Sequence, residues 1–367
     1  MRDETLRAWA RVLTGYCTAV QPGQRVLITG ETAAEPLMRA VFREVIAAGG
    51  FPVLWPVLSG LHAALLAHGT DEQVEYISPI ERFTRQEADV SIRIIAERNT
   101  RSSSQIDPER SAVFTRARSG LQRSFMERAA QNDLRWSLTI FPTDAYAQDA
   151  DMSTADFEQF VYRACKLNHP DPVAAWNDLH DEQARLIDWL AGKEQFRIVG
   201  PETDLTLSVE GRTWINSDGK RNFPSGEIFT GPVETSATGT FSCGFPVIHA
   251  GRRMTGVKLR FVDGLVVDAS AANNEAYLLE ALDTDEGARR LGEVAIGTNF
   301  DIDRFTGQTL LDEKIGGTAH IAIGAGYPET GSVNRSAIHW DLITDLRKGG
   351  RIEVDGQPML VDGRFVI

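Results

Sequence analysis

The sequence predicts two domains: an α/β N-terminal domain with a parallel sheet over residues 1–195, and an α+β C-terminal domain rich in antiparallel strands over residues 196–367. Three observations predict this division. Apolar strand-like runs alternate with helical runs through the first half, which is the pattern of βαβ units. From residue 196 onward, period-two runs are broken by turn pairs, the pattern of hairpins. The 367 residues are long for one core and comfortable for two.

Residues 1–20 read as an amphipathic helix, with Leu6, Trp9, Ala10, Leu13 and Tyr16 at helical spacing. Pro22 and Gly23 mark a turn, and Arg25 to Thr29 reads as a buried strand. The run AAEPLMRAVFREVIAAGG reads as a helix stopped by Gly49 and Gly50, with a second strand over Phe51 to Val57. The intervening turn, ITGETAAE, lacks G-x-G-x-x-G and lacks a phosphate loop, so no nucleotide site is assigned. Strands are expected over Ala88–Ala96 and Trp136–Pro142, and helices over Asp107–Asn132, Asp156–Leu167 and Pro172–Leu190. Together these make a doubly wound layout.

In the second half, strands are expected within Phe196–Ile215 and over Gly239–Phe245, Val257–Phe261 and Leu265–Ala269. Two helices follow, Asn274–Leu282 and Asp285–Ile296, the latter with Asp283 as N-cap and Glu286 completing a capping box. The chain closes with Arg351–Val354 and Pro358–Val361 joined through Asp355–Gly356, then Phe365–Ile367. No internal repeat or low-complexity tract is visible.

The bulk numbers exclude several function classes. A net charge of −13 argues against nucleic acid, which needs a basic footprint, and suits cations or amine-bearing ligands. Cys17, Cys165 and Cys243 are odd in number and far apart, so neither a zinc ribbon nor a disulfide framework is expected, and a reducing cytoplasm fits. MRDETLRAWARVLTGYC carries charge where a signal peptide would be apolar, and no run is long enough to span a membrane.

The chemistry concentrates in Gly316–Asp341. Thr318, His320, Ala322 and Gly324 share one side of a strand, and His339 and Asp341 share one side of another. The small neighbours of His320 leave room for an ion or a substrate. Glu227, in the loop NFPSGEIFTGP, and Glu293, near the end of the expected helix RRLGEVAIG, add carboxylates, and this mixture suits a divalent ion. By spacing alone, a core histidine and solvated glutamates are the ordinary alternatives. Arg252 and Arg253 read as a solvated turn, and His249 as structural. His62, His68, His169 and His180 show no ligand spacing.

Five features fall in one order: NFPSGEIFTGP, LDTDEGARRLGEVAIG, LLDEKIGGTAHIAIG, a tyrosine seven residues after that histidine, and NRSAIHWD. In these the chain resembles the metallo-aminopeptidases that include aminopeptidases T, S and II of thermophilic bacteria, most strongly from Asn222 onward. The resemblance implies metal ligands at Glu227, Glu293, His320, His339 and Asp341, with Glu293 bridging. It implies two divalent ions, zinc, cobalt or magnesium/manganese, that activate a water to release N-terminal amino acids from a peptide. It implies that Tyr327 lines the site as an oxyanion donor and that Glu313 is the general base, with neighbouring Asp312 as the alternative. It also implies a homodimer that encloses the site. The stretch from Tyr327 to His339 is shorter than in the family, which bears on substrate range.

Two rivals stand beside this reading. Ring-cleaving dioxygenases of dihydroxypyridines look like the same family, and His320, His339 and Asp341 would supply a facial triad for one iron(II). A member that binds peptide or metal without catalysis is the other. The joint presence of Glu227 and Glu293 favours two metals.

Overall fold

The structure, a computed structural model, describes residues 3–249 and 251–367. The chain forms two compact units, Met1–Val173 with Gly219–Pro224, and Ala174–Asp218 with Ser225–Ile367.

The first unit is built on an all-parallel five-stranded sheet. Its order is Phe51–Val57, Arg25–Glu31, Val90–Ile95, Arg135–Ile140 and Asn222–Phe223. The expected βαβ unit is present, its helix running Glu35–Ala47. The long charged helix runs Pro108–Ala130 and is capped by the Asp107 side chain, which accepts from the Glu109 N–H. The N-terminal helix spans Asp3–Arg11 and passes into a π-helical turn, Val12–Cys17. Met1 and Arg2, with which that expected helix began, lie outside the described residues, as does Ala250.

The edge strand Phe51–Val57 explains its own prolines. Phe51 donates its N–H inward to the Gln24 carbonyl at 2.7 Å. Two-residue alternation then turns Pro52 and Pro56 outward, where a missing N–H breaks no ladder bond. An open edge invites pairing with another strand, and these prolines block it.

The second unit carries two antiparallel sheets and a short hairpin. The larger sheet runs Leu265–Ser270, Lys258–Val262, Thr238–Ser242, Thr203–Ser208, Gln195–Gly200, Arg351–Val354, Gln357–Val361 and Arg364–Phe365. The smaller runs His339–Asp345, Thr318–Gly324, Leu291–Gly297, Glu227–Thr230 and Ile215–Ser217. The hairpin pairs Val247–His249 with Arg252–Met254. A single apolar cluster takes Phe196, Ile198, Leu205 and Phe241 from the larger sheet and Val294, Ile296, Ile321, Ile323 and Leu342 from the smaller. The other face of the smaller sheet is therefore left for polar residues.

Two local expectations are corrected. The helix expected over Asp285–Ile296 is absent: Leu291–Gly297 is a strand with all seven residues buried. A short apolar run covered on both faces has no period to distinguish strand from helix. Asp283 and Glu286 therefore form no capping box; Asp285 instead accepts from the Ala337 N–H at 2.6 Å and the Ser336 hydroxyl at 2.7 Å. Glu227 does not sit in a loop but opens the strand Glu227–Thr230.

The register shifts between Leu291 and Glu293. Leu291 turns into the apolar cluster while Glu293, two residues on, faces the other way. Gly292 permits this, because a Cβ there would collide with the carbonyl oxygens of Ala325 and Gly324. Gly292→Ala is expected to destabilise the protein by about 3 kcal/mol, measured by urea titration. An unchanged midpoint would show that the backbone relaxes freely.

Candidate metal centre

Period-two geometry brings the carboxylates and imidazoles together. On the polar face of the smaller sheet, Ala322 pairs with both Glu293 and Asp341, Gly324 with His339, Ala295 with His320, and Gly297 with Glu227. Each functional side chain thus has an alanine or glycine opposite it on at least one neighbouring strand, and the space above the small residues is what the larger groups share. Glu227, Glu293 and His320 are buried, at 5%, 4% and 0% exposure. Among the described residues, two sets of potential ligand atoms each lie within 4.8 Å of one another: Glu227, Glu293 and His320, and Glu313, His320 and Asp341. They share His320.

Glu293 reaches both imidazoles. Its Oε1 lies 3.2 Å from His320 Nε2 and its Oε2 lies 3.7 Å from His339 Nε2. His320 Nε2 is also 3.5 Å from Glu227 Oε2, and His339 Nε2 is 3.5 Å from Asp341 Oδ1. His339 Nδ1 sits 2.7 Å from the Ala325 carbonyl oxygen, to which it must donate, so Nε2 is the nitrogen presented to the carboxylates. Burial opposes charge on His320, but Glu293, Glu227 and Asp341 outweigh it and push its pKa up to about 9. Burial likewise opposes charge on His339, and Asp341, Glu293 and the Ala325 carbonyl raise it to about 10. Burial would lift Asp341, yet the two histidines and Lys314 hold its carboxyl well below the usual range. Glu293 is pushed up by burial, against the pull of His320.

The next shell separates two neighbours that the sequence left open. Asp312 is committed to a turn, accepting from both the N–H and the hydroxyl of Thr306 at 2.7 Å. Glu313 faces the cluster, and burial raises it to about 8 against the opposing charge of Lys314. Lys314 went unnoticed in the sequence. It is 1% exposed, with Nζ 2.7 Å from Glu227 Oε1 and 2.5 Å from Glu313 Oε1. The only signal was its position beside Glu313, and nothing in LLDEKIGG names Glu227 as its partner. Burial opposes its charge, but the two carboxylates more than compensate and raise its pKa.

Tyr327 packs edge-on against His339, with ring centroids 5.3 Å apart, and lies 5.4 Å from Phe229. Burial, reinforced by Glu293 and Asp341, raises its hydroxyl pKa, so it stays protonated at neutral pH. The segment after it is clamped by Glu234, which accepts from the Val333 N–H at 2.7 Å and the Ser332 hydroxyl at 3.1 Å. Beside Asp341 a cleft opens, walled by Phe245 and Phe305, which stack at 5.4 Å, and by Val247 and Ile343. His249 gains partners the sequence could not supply: the Tyr277 hydroxyl at 2.7 Å and the Trp340 ring at 4.5 Å. Arg252 lies over the Tyr277 ring, and Arg253 is exposed on the same hairpin strand. His62 packs on Phe114, His180 meets Asp218 at 2.9 Å, and His68 and His169 occupy a helix end and an exposed turn.

The donor set fits a divalent ion. Buried Glu227 Oε2, His320 Nδ1 and Asp341 Oδ1 make no hydrogen bond. Buried polar atoms ordinarily find partners. Imidazole nitrogens facing carboxylate oxygens at 3.2–3.7 Å need a proton or a cation between them.

A family model described as thermophilic metalloprotease (M29) matches residues 2–365. Aminopeptidase 2 of Geobacillus stearothermophilus is 27% identical over 408 residues, covering 99% of this chain and 98% of that one. Aminopeptidase T of Thermus aquaticus is 29% identical over 295 residues, covering 71% and 70%. Wild-type AmpT from Thermus thermophilus shares the fold with a TM-score of 0.87 at 22% identity, covering 99% of both chains. The 2,5-dihydroxypyridine dioxygenase from Pseudomonas putida KT2440 is similar with a TM-score of 0.58 at 13% identity, covering 100% of this chain and 98% of that one.

Both histidines carry a proton at pH 7.5 in the metal-free protein, since their pKa values are about 9 and about 10. A ligand nitrogen must lose that proton, so binding strengthens as pH rises. Titration with zinc at pH 7.5 is expected to release at least about two protons per chain, read from the dependence of calorimetric enthalpy on buffer ionisation. No buffer dependence would remove these histidines from the ligand set.

Proposed function

The chain belongs to the thermophilic metalloprotease family (M29), and from that premise we propose that it is a metallo-aminopeptidase, a hydrolase that removes N-terminal residues from peptides. The observation that carries the reading is the convergence of Glu227, Glu293, His320, Glu313 and Asp341 into two overlapping sets of potential ligand atoms. In this proposal Glu227, Glu293, His320, His339 and Asp341 hold two divalent ions, zinc, cobalt or magnesium/manganese, within a catalytic domain over residues 196–367. Glu293 is the shared ligand, supported by its two oxygens facing different imidazoles.

When bound, such ions supply Lewis acidity toward a carbonyl and a nucleophile at neutral pH. The chain's own groups do the rest. Glu313, whose carboxylate faces the cluster, accepts the nucleophile's proton and returns one to the leaving amine. Tyr327 keeps its proton and donates a hydrogen bond to the oxygen that gains charge as the carbonyl is attacked. The cavity's carboxylates attract the free α-amine, which supports action at the N-terminus. The surrounding acids repel an acidic first side chain.

A homodimer and a cytoplasmic location complete the proposal. The exposed apolar side chains of Phe51, Leu54, Leu58 and Leu61 support a second copy as cover. Among the described residues no helix is long and apolar enough to cross a membrane. The ring-cleaving alternative is not favoured: two histidines and one carboxylate suffice for its iron, whereas this face adds Glu227, Glu293 and Glu313.

The metal-loaded chain is expected to hydrolyse leucyl p-nitroanilide well and aspartyl p-nitroanilide poorly. Glu293→Gln should lower that turnover by at least about 10³-fold and reduce bound metal measured by elemental analysis. Parental turnover with full metal content in this variant, or iron-dependent oxygen uptake by the parent, would refute the reading. Tyr327→Phe should keep metal content and KM while kcat falls by roughly 10²-fold. A change in KM alone would instead assign Tyr327 to substrate binding.

A further inference from the structure

Lys314 lies outside the ligand set, yet it touches both halves of it. Its backbone is pinned in the turn after the short helix Thr309–Asp312, with its N–H bonded to Leu311 and its carbonyl accepting from Asn299. Its ammonium bonds one carboxylate from each ligand set, Glu227 of the first and Glu313 of the second. Four carboxylates, Glu227, Glu293, Glu313 and Asp341, converge here, and three of them are at most 9% exposed. Like charges at that separation, shielded from water, repel strongly. An ammonium carries three donors on one compact charge, so it can hold two carboxylates at once.

We propose that Lys314 is a built-in cation of the centre: it positions Glu227 and Glu313 and offsets their charge before any divalent ion arrives, leaving Glu227 Oε2 as the oxygen offered to an ion. The bond to Lys314 takes Glu227 Oε1, whereas Oε2 makes no hydrogen bond. The metal-free protein can then keep its acidic cavity assembled, and an entering ion meets a site already in shape. Lys314 is a positioning residue in this account, and its role toward the ion rests on the metallohydrolase reading above.

Thermal unfolding tests it without measuring activity. Lys314→Met removes the charge and keeps most of the volume. In the metal-free protein it is expected to lower the melting temperature by about 10 °C, as breaking a buried ion pair does. Adding Glu313→Gln to Lys314→Met removes one of the stranded carboxylates and should restore at least half of that loss. Should Lys314→Met fail to fold, folding of the double variant supports the proposal and failure of both overturns it. A single variant that melts like the parent, or a double variant as unstable as the single, would overturn the proposal. The metal-free comparison needs no bound ion, so it can succeed or fail separately from the hydrolytic reading; a parent that binds no divalent ion would defeat only that reading.

Discussion

Four carboxylates, two imidazoles and one ammonium meet on one face of an antiparallel sheet, and their mutual attraction in a water-poor space is the constraint everything else answers to. A buried carboxylate without a counter-charge is costly. Here each has one within reach: Glu227 and Glu313 share Lys314, Glu293 lies between the two histidines, and Asp341 faces His339. The pKa shifts have the same origin, with the histidines raised to about 9 and about 10 by the acids around them. In the proposed reading, a site so rich in negative charge exchanges protons for a divalent cation, and that exchange links its electrostatics to its chemistry.

The sheet supplies the rigidity this requires. Its other face is sealed into the apolar cluster by Val294, Ile296, Ile321, Ile323 and Leu342, so the strands cannot rotate to relieve the acids. Alanine and glycine opposite each functional side chain open the cavity, and the register shift before Glu293 aims that carboxylate without sacrificing Leu291 to the polar side. The resemblance to AmpT from Thermus thermophilus across both chains shows that this architecture is shared at 22% identity. A fold carried over so much sequence change fits a constraint set by strand alternation and a few small residues.

Much of the fold was legible from pattern. The alternation in TAHIAIG placed His320, and H-x-D placed His339 and Asp341 on one side, because a strand's period is short and local. The βαβ unit of Phe51–Val57 and its neighbours was equally plain. The helix expected over Asp285–Ile296 was not found, since a strand covered on both faces shows no alternation to read. Glu227 was expected in a loop because Pro224, Gly226 and Pro232 crowd its surroundings, while the pairing with Leu291–Gly297 that makes it a strand is a long-range contact.

By itself, then, the sequence showed which residue types could do chemistry and, through family motifs, named five that are expected to act together. Only the tertiary structure decided what lies between them. Lys314 meets Glu227 across 87 positions of chain, His249 finds Tyr277 across 28, and Asp312 turns away to Thr306 while Glu313 faces inward. Such pairings have no local signature, because a buried ion pair is specified by which strands pack together and not by the residues flanking either partner.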